Sequence, residues 1–352
     1  MTPEVTPLEL LLALEAGEPF QVIDVRSPEL VAASRIEGSQ GFFNIPSSVL
    51  DSNADPAALG LDRSRPLAVV CSLGNASRPA TRVLKSFGFA ARSIRGGMAA
   101  WNVAHRRIDL EPPPGFHTLV VFERFALGRR TVLLGSGDAA VVVDPGRNLA
   151  PFLEAARELG LTIRAVVDTH LHSDVLSGGA GLAKHQGCRY YLPTADSEGS
   201  ALDSLPLESG LAVASTGVSI EILPTPGHTA GSTTLVAGDV YLTGDFLLCD
   251  GVGRIETGSG PALAESLHAT ATWPGEGRIV PSYGSERRLE AGLEGLRAEI
   301  ERWAEFAAQS ARTPLDENEQ ALVRANLGLE SPDHATVRRR EIAAREIRLL
   351  AQ

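Results

Sequence analysis

Two imidazoles and two carboxylates fall within one short stretch, Asp168-Thr169-His170-Leu171-His172-Ser173-Asp174. Side chains of these types hold metal ions or move protons. His170 and His172 are two residues apart, so they can present their rings together only from extended or turning backbone; on a helix the usual pair is four apart. A largely apolar, β-branched run at 163–167 precedes them and the glycine-rich Ser177-Gly178-Gly179-Ala180-Gly181 follows. That pattern reads as a buried strand delivering His and Asp to a loop at a sheet edge. A second chemical locus is Cys71, which ends the apolar run Leu67-Ala68-Val69-Val70 and opens Ser72-Leu73-Gly74-Asn75-Ala76-Ser77-Arg78 before a helix-like stretch at 81–87. Such a loop turns backbone N–H groups toward the sulfur in front of a helix N-terminus, an arrangement that stabilises a thiolate or persulfide anion.

The surrounding elements divide the chain. Residues 1–108 alternate strand and helix signals: residues 20–25 are a strand, and Arg26-Ser27-Pro28-Glu29 opens a helix with proline in its first turn. Asp109-Leu110-Glu111-Pro112-Pro113-Pro114-Gly115 can continue neither a helix nor a central strand, so 109–116 is expected to be a linker. Strands follow at 118–122, 131–135 and 139–143, then a helix over 148–159 with apolar spacing at Leu149, Phe152, Leu153 and Ala156. From 286 onward the chain is helical and charged. Leu289, Leu293, Leu296, Ile300 and Trp303 form a stripe that packs inward, and a polar tail from about 313, with Arg338-Arg339-Arg340, is expected to be solvated or to mediate a homodimer.

The metal-type loop resembles the His-x-His-x-Asp-His segment of the metallo-β-lactamase fold superfamily. Two later stretches extend the resemblance: Thr225-Pro226-Gly227-His228-Thr229-Ala230-Gly231-Ser232 and Tyr241-Leu242-Thr243-Gly244-Asp245. Val175 stands where that loop ends in a second His, and Pro281-Ser282-Tyr283-Gly284 stands where dinuclear hydrolases carry a late His. Both departures fall on ligands of a second metal. The resemblance therefore implies a two-His, one-carboxylate set of His170, His228 and Asp245, which is the facial triad of non-haem Fe(II) oxygenases. Within the superfamily this set is that of the persulfide dioxygenases, relatives of glyoxalase II. Gly244-Asp245-Phe246-Leu247-Leu248 with Gly251-Val252-Gly253-Arg254 resembles a segment of that family whose Arg contacts the thiol substrate, although Ile255-Glu256 replaces its Thr-Asp. His172 and Asp174 are expected behind the ligands, with His172 a fourth ligand were the metal zinc.

The first half resembles the rhodanese domain, through Asp24-Val25-Arg26-Ser27-Pro28-Glu29, the loop from Cys71 to Arg78, and Gly96-Gly97-Met98-Ala99-Ala100-Trp101. It implies that Cys71 carries sulfane sulfur as a persulfide, with Arg78 beside the substrate. The expected fold class is a two-domain α/β chain: a rhodanese domain with a parallel sheet (1–108), then a metallo-β-lactamase αββα sandwich (117–300) and a helical extension (301–352). Together the resemblances imply a sulfur-handling enzyme. One Fe(II) per chain would serve oxidation of a low-molecular-weight thiol persulfide, such as glutathione persulfide, by O2 to sulfite and thiol, while Cys71 exchanges sulfur with thiosulfate or sulfite. Two alternatives stand beside it: a zinc-dependent thioester hydrolase of the glyoxalase II type, and a sulfur carrier or sensor in which only Cys71 is active.

A net charge of −11 and a pI near 5.3 speak against nucleic acid as a partner. Cys71, Cys188 and Cys249 show no CxxC spacing and suit a reducing compartment, so with no signal-peptide pattern the expected location is the cytoplasm, away from membranes.

Overall fold

The computed structural model describes residues 3–50, 56–208, 219–284, 290–312, 314–327 and 329. They form two compact units: residues 1–106 with the short segment 124–127, and residues 107–123 with those from 128 onward.

The first unit is an all-parallel sheet, in which strand Glu4–Val5 pairs with Ala91–Ile94, followed by Leu67–Val70, Gln21–Asp24 and Phe42–Asn44. Its central strands read Val-Ile and Leu-Ala-Val-Val without polar alternation because both faces are covered. Ile23, Val69 and Leu84 pack on one side, and Val22, Ala68 and Met98 on the other. The wall of the Cys71 loop is Gly97, at φ +61, where a Cβ would drive into the Cys71 carbonyl oxygen. Only glycine takes that backbone without strain while allowing so close an approach.

The second unit is a four-layer αββα sandwich. One sheet has seven strands, running from Leu205–Leu207 through Arg189–Pro193, Thr162–Val167, Ala139–Val143, Arg129–Ser136 and Thr118–Arg124 to Arg106–Leu110. The other has five: Glu221–Pro224, Thr233–Ala237, Val240–Gly244, Arg278–Pro281 and Ala291–Gly292. Strand alternation explains the layering. Leu119 and Val121 face the other sheet with Val141, Leu235 and Leu242, whereas Val120 and Phe122 face helices Ala150–Glu158 and Gly179–Gln186. Helices Gly260–Ala269 and Leu293–Ala308 cover the opposite face through Leu263, Leu267, Leu296 and Ile300.

Two findings differ from the sequence expectation or lie beyond it. Asp109 and Leu110 end an edge strand, so the proline-rich segment expected as a linker begins inside the sheet. The polar tail is folded where it is described: helix Glu317–Asn326 has a capping box of Asp316 and Glu319, and its Leu322 is fully buried against Leu176. Leu289 and Arg338-Arg339-Arg340 lie outside the described residues. Among the described residues no helix is long and apolar enough to cross a membrane.

Phe152 is fully buried and meets the Phe122 ring edge-on at 5.2 Å, pinning the outer helix to the seven-stranded sheet. Phe152→Ala should cost about 3–5 kcal/mol, seen as a lowered urea midpoint for the second unit; an unchanged midpoint would mean that this helix is not part of the unit's cooperative core.

Candidate metal centre and sulfur site

The second unit gathers His170, His228 and Asp245 from three separate segments at one edge of its sheets. His170 follows strand Thr162–Val167, Asp245 follows Val240–Gly244, and His228 lies in the turn ahead of Thr233–Ala237. All three are buried, and one ligand atom from each lies within 4.8 Å of the other two. His170 Nε2 and His228 Nε2 stand 3.8 and 3.9 Å from Asp245 Oδ2. Those separations are too long for hydrogen bonds and leave room for an ion between the atoms.

Hydrogen bonding assigns the tautomers. His228 Nδ1 meets the Arg254 carbonyl oxygen at 2.6 Å and must donate to it, which leaves Nε2 as the nitrogen available to a metal. Thr169 Oγ1 donates to Asp144 Oδ2 at 2.8 Å and is therefore free to accept from His170 Nδ1 at 3.0 Å. His170 Nε2 is then a bare lone pair, buried and without a hydrogen-bond partner among the described residues. Burial pushes the His170 imidazole well below its ordinary pKa, so it is neutral, the form that binds a metal. The chemistry of these donors fits a divalent cation. Gly253 makes the packing possible: a Cβ there would overlap the Asp245 carbonyl oxygen and stand 3.1 Å from His228 Nδ1.

Asp245 Oδ1, the other carboxylate oxygen, accepts from Arg129 Nη1 at 2.7 Å. The same guanidinium binds Asp174 Oδ2, through Nε at 2.8 Å and through Nη2. Burial alone would raise the Asp245 carboxyl, but the charge of the Arg129 guanidinium and its hydrogen bond outweigh it and hold the carboxyl well below the usual carboxylate range. Arg129 thus bridges the two carboxylates. Its guanidinium also lies over the Tyr283 ring, 5.4 Å from the centroid.

The other expected residues lie close by. Asp174 is held by Arg129 as described. His172 packs edge-on against His170, with ring centroids 4.2 Å apart, and its Nε2 is 3.5 Å from Asp144 Oδ1. Val175 is buried. Arg254, expected at the substrate, spends its guanidinium on Glu256 and Glu319 and its carbonyl on His228.

Several contributors escaped the sequence reading. Asp196 accepts from Leu171 N at 2.9 Å, Thr229 Oγ1 at 2.7 Å and Gly231 N at 2.7 Å, and so ties the His170 loop to the His228 loop. Asn326 of the C-terminal helix donates from Nδ2 to the carbonyls of His172 and Val175, each at 2.8 Å. A second buried set, Asp144, Asp168 and His172, is largely occupied internally: Asp168 Oδ2 accepts from Ser177 Oγ at 2.6 Å and Tyr190 OH at 2.7 Å, and Asp144 takes Thr169 and Ser282. The single signal for Asp144 was its place at the end of an apolar strand before Pro145-Gly146; it alone among described non-glycine residues has a positive φ, 50°.

In the first unit, Cys71 is buried at the end of strand Leu67–Val70. Gly74 N donates to its Sγ at 3.1 Å, Ser77 Oγ lies 3.4 Å away, and Ser93 Oγ stands behind Ser77 at 2.9 Å. Burial would raise the thiol, but hydrogen bonds from Ser77, Leu73 and Gly74 more than offset it and bring the thiol below its ordinary value. Arg78 extends to Glu4 at 2.8 Å, half exposed.

Comparison with known proteins follows the same division. The Rhodanese-like domain family matches residues 6–104, and the metallo-beta-lactamase superfamily matches residues 125–203, which include the His170 loop. A hydroxyacylglutathione hydrolase of Xanthomonas campestris pv. campestris is 34% identical over 145 residues, covering 41% of this chain and 56% of the relative. One of Dechloromonas aromatica is 33% identical over 144 residues, 41% of this chain and 53% of the relative. The chain thus spans little more than half the length of the curated relatives it matches. The crystal structure of ETHE1 from Myxococcus xanthus superposes with a TM-score of 0.47 at 23% identity, over 66% of this chain and 94% of that one. With a parallel sheet carrying the Cys71 loop in one unit and a metal-type centre on an αββα sandwich in the other, the chain joins a rhodanese-like domain to a domain of the metallo-beta-lactamase superfamily.

Proposed function

We propose that the second unit is an iron-dependent dioxygenase acting on a low-molecular-weight thiol persulfide, and that Cys71 carries sulfane sulfur to or from the same thiol pool. The observation that supports this reading most is Arg129. It neutralises Asp174 and the outer oxygen of Asp245, so the neighbourhood that would hold a second ion is already filled by a protein cation. What remains is two imidazoles and one carboxylate oxygen, a set that suits a single redox-active ion better than the dinuclear centre of a thioester hydrolase.

His170, His228 and Asp245 would hold the ion. A ferrous ion there would supply the one-electron steps by which ground-state O2 reacts with a closed-shell sulfur compound. The residues around it do the rest. Thr169 and the Arg254 carbonyl hold both imidazoles with Nε2 facing inward, and Arg129 keeps Asp245 anionic with Oδ2 turned toward them. Asp196 fixes the distance between the two loops, and burial keeps bulk water from the reacting sulfur. The overall change balances: persulfide, one O2 and one water give thiol and sulfurous acid. The S–S bond breaks, the terminal sulfur loses four electrons to O2, and the inner sulfur leaves as the thiol. In the first unit, the Cys71 thiolate would attack the outer sulfur of thiosulfate, release sulfite and pass its sulfane sulfur to a thiol.

Iron-loaded full-length protein should take up O2 and release sulfite when given hydropersulfides, with Asp245→Ala losing at least about 100-fold in rate. Zinc-loaded protein that takes up no O2 but hydrolyses S-lactoylglutathione would replace this reading with the hydrolase. At the sulfur site, Ser77→Ala removes one hydrogen bond to the thiolate. Alkylation of Cys71 at neutral pH, followed on its own peptide by mass spectrometry, should slow by roughly threefold to tenfold, because its titration moves to higher pH. An unmoved profile would mean that Ser77 does not stabilise the thiolate.

A further inference from the structure

The loop that brings His170 to the centre has no helix or strand of its own over residues 171–176, yet His172, Ser173, Asp174 and Val175 are buried. Its backbone polar groups therefore need partners from elsewhere in the chain. Asn326, at the end of helix Glu317–Asn326, supplies three of them. Its Nδ2 donates to the carbonyls of His172 and Val175, each at 2.8 Å, and its Oδ1 accepts from Ser177 N at 2.9 Å. One buried side chain thus spends both donors and its acceptor on the backbone of the loop that carries His170. The same part of the chain also grips the strip that holds His228. The Arg254 carbonyl accepts from His228 Nδ1 at 2.6 Å, and Glu256 N donates to the His228 carbonyl at 2.8 Å. Glu319 in turn binds the Arg254 guanidinium, and Arg312 Nε donates to the Glu256 carbonyl. Between Glu319 and Asn326 on the helix, Leu322 is fully buried against Leu176.

We propose that Asn326 is a positioning residue of the metal centre, and that docking of helix Glu317–Asn326 is thermodynamically linked to occupancy of the centre by a divalent cation. The inference rests on His170, His228 and Asp245 being metal ligands, whatever reaction they serve. Undocking would strip the His172 and Val175 carbonyls and the Ser177 N–H of their partner, and would let the His170 loop move away from His228 and Asp245. A cation held by all three ligands opposes that movement, because it fixes the loop in the shape that Asn326 binds. The linkage is reciprocal: whatever factor the docked helix adds to metal affinity, the metal adds to helix docking. A helix that served stability alone would show no such coupling.

The test uses the full-length chain stripped of metal, titrated without oxygen with Zn(II) and with Fe(II) against a chromophoric chelator, well below its melting temperature. Asn326→Ala should bind both ions at least about tenfold more weakly. Asn326→Asp keeps an acceptor for Ser177 N but loses both donors, and should weaken binding by a similar factor. Phe152→Ala, which removes the ring packed on Phe122, serves as the destabilised control and should keep wild-type affinity. In hydrogen exchange followed by mass spectrometry, saturating Zn(II) should slow the amides of 317–326 by at least about threefold in the wild type. Equal metal affinity in wild type and Asn326→Ala overturns the inference; so does an equal loss in Phe152→Ala, or exchange across 317–326 that does not respond to the metal. A wild-type chain that binds neither ion would instead sink the metal-centre reading itself, and the inference with it.

Discussion

Everything at the metal-type centre depends on where the Arg129 guanidinium has been put. Two buried carboxylates, Asp174 and Asp245, converge at one sheet edge, and buried carboxylates that are not paired either take up protons or force the site apart. Arg129, on a strand of the seven-stranded sheet, answers both at once. One oxygen of Asp245 is thereby committed to the protein and the other is left to face two imidazoles. Removing the guanidinium would leave two uncompensated charges in the interior, a loss of the kind that costs about 3–5 kcal/mol. The same ion pairs thus stabilise the edge and leave the second Asp245 oxygen to the imidazoles.

The geometry around this pair is built outward from backbone polar groups. A carbonyl fixes one histidine, a threonine hydroxyl relayed to Asp144 fixes the other, and Asp196 joins their loops through two backbone N–H groups and the Thr229 hydroxyl. Such outer contacts hold the three ligand atoms close together. At Cys71 the logic is similar, with a backbone N–H and a hydroxyl directed at one sulfur.

The elements and the triad were legible because their signals are local. Buried strands show as runs such as Leu67-Ala68-Val69-Val70, and His170, His228 and Asp245 each stand beside glycine or at a strand end, where an apolar pattern stops abruptly. Val175 and Tyr283 stand where the resemblance would place further histidines. Arg129 was not legible. It lies beside Arg130 at the start of an apolar strand, and only the sheet pairing shows that it points at residues 45 and 116 positions away. Asp196 was hidden for the same reason, since a lone carboxylate in a sequence has no visible partner. The C-terminal helix was misjudged because its polar residues read as a solvated face, whereas Glu319 and Asn326 are polar so that they can bond the buried loop.

The claim that one protein cation stands in for a second metal is tested most directly by counting metal. Chain purified without oxygen, offered an excess of Fe(II) or Zn(II) and freed of unbound ion should retain about one ion by elemental analysis. Retention of two ions per chain at full occupancy would contradict the account, because Asp174 and Asp245 would then have to leave Arg129 to bind the second.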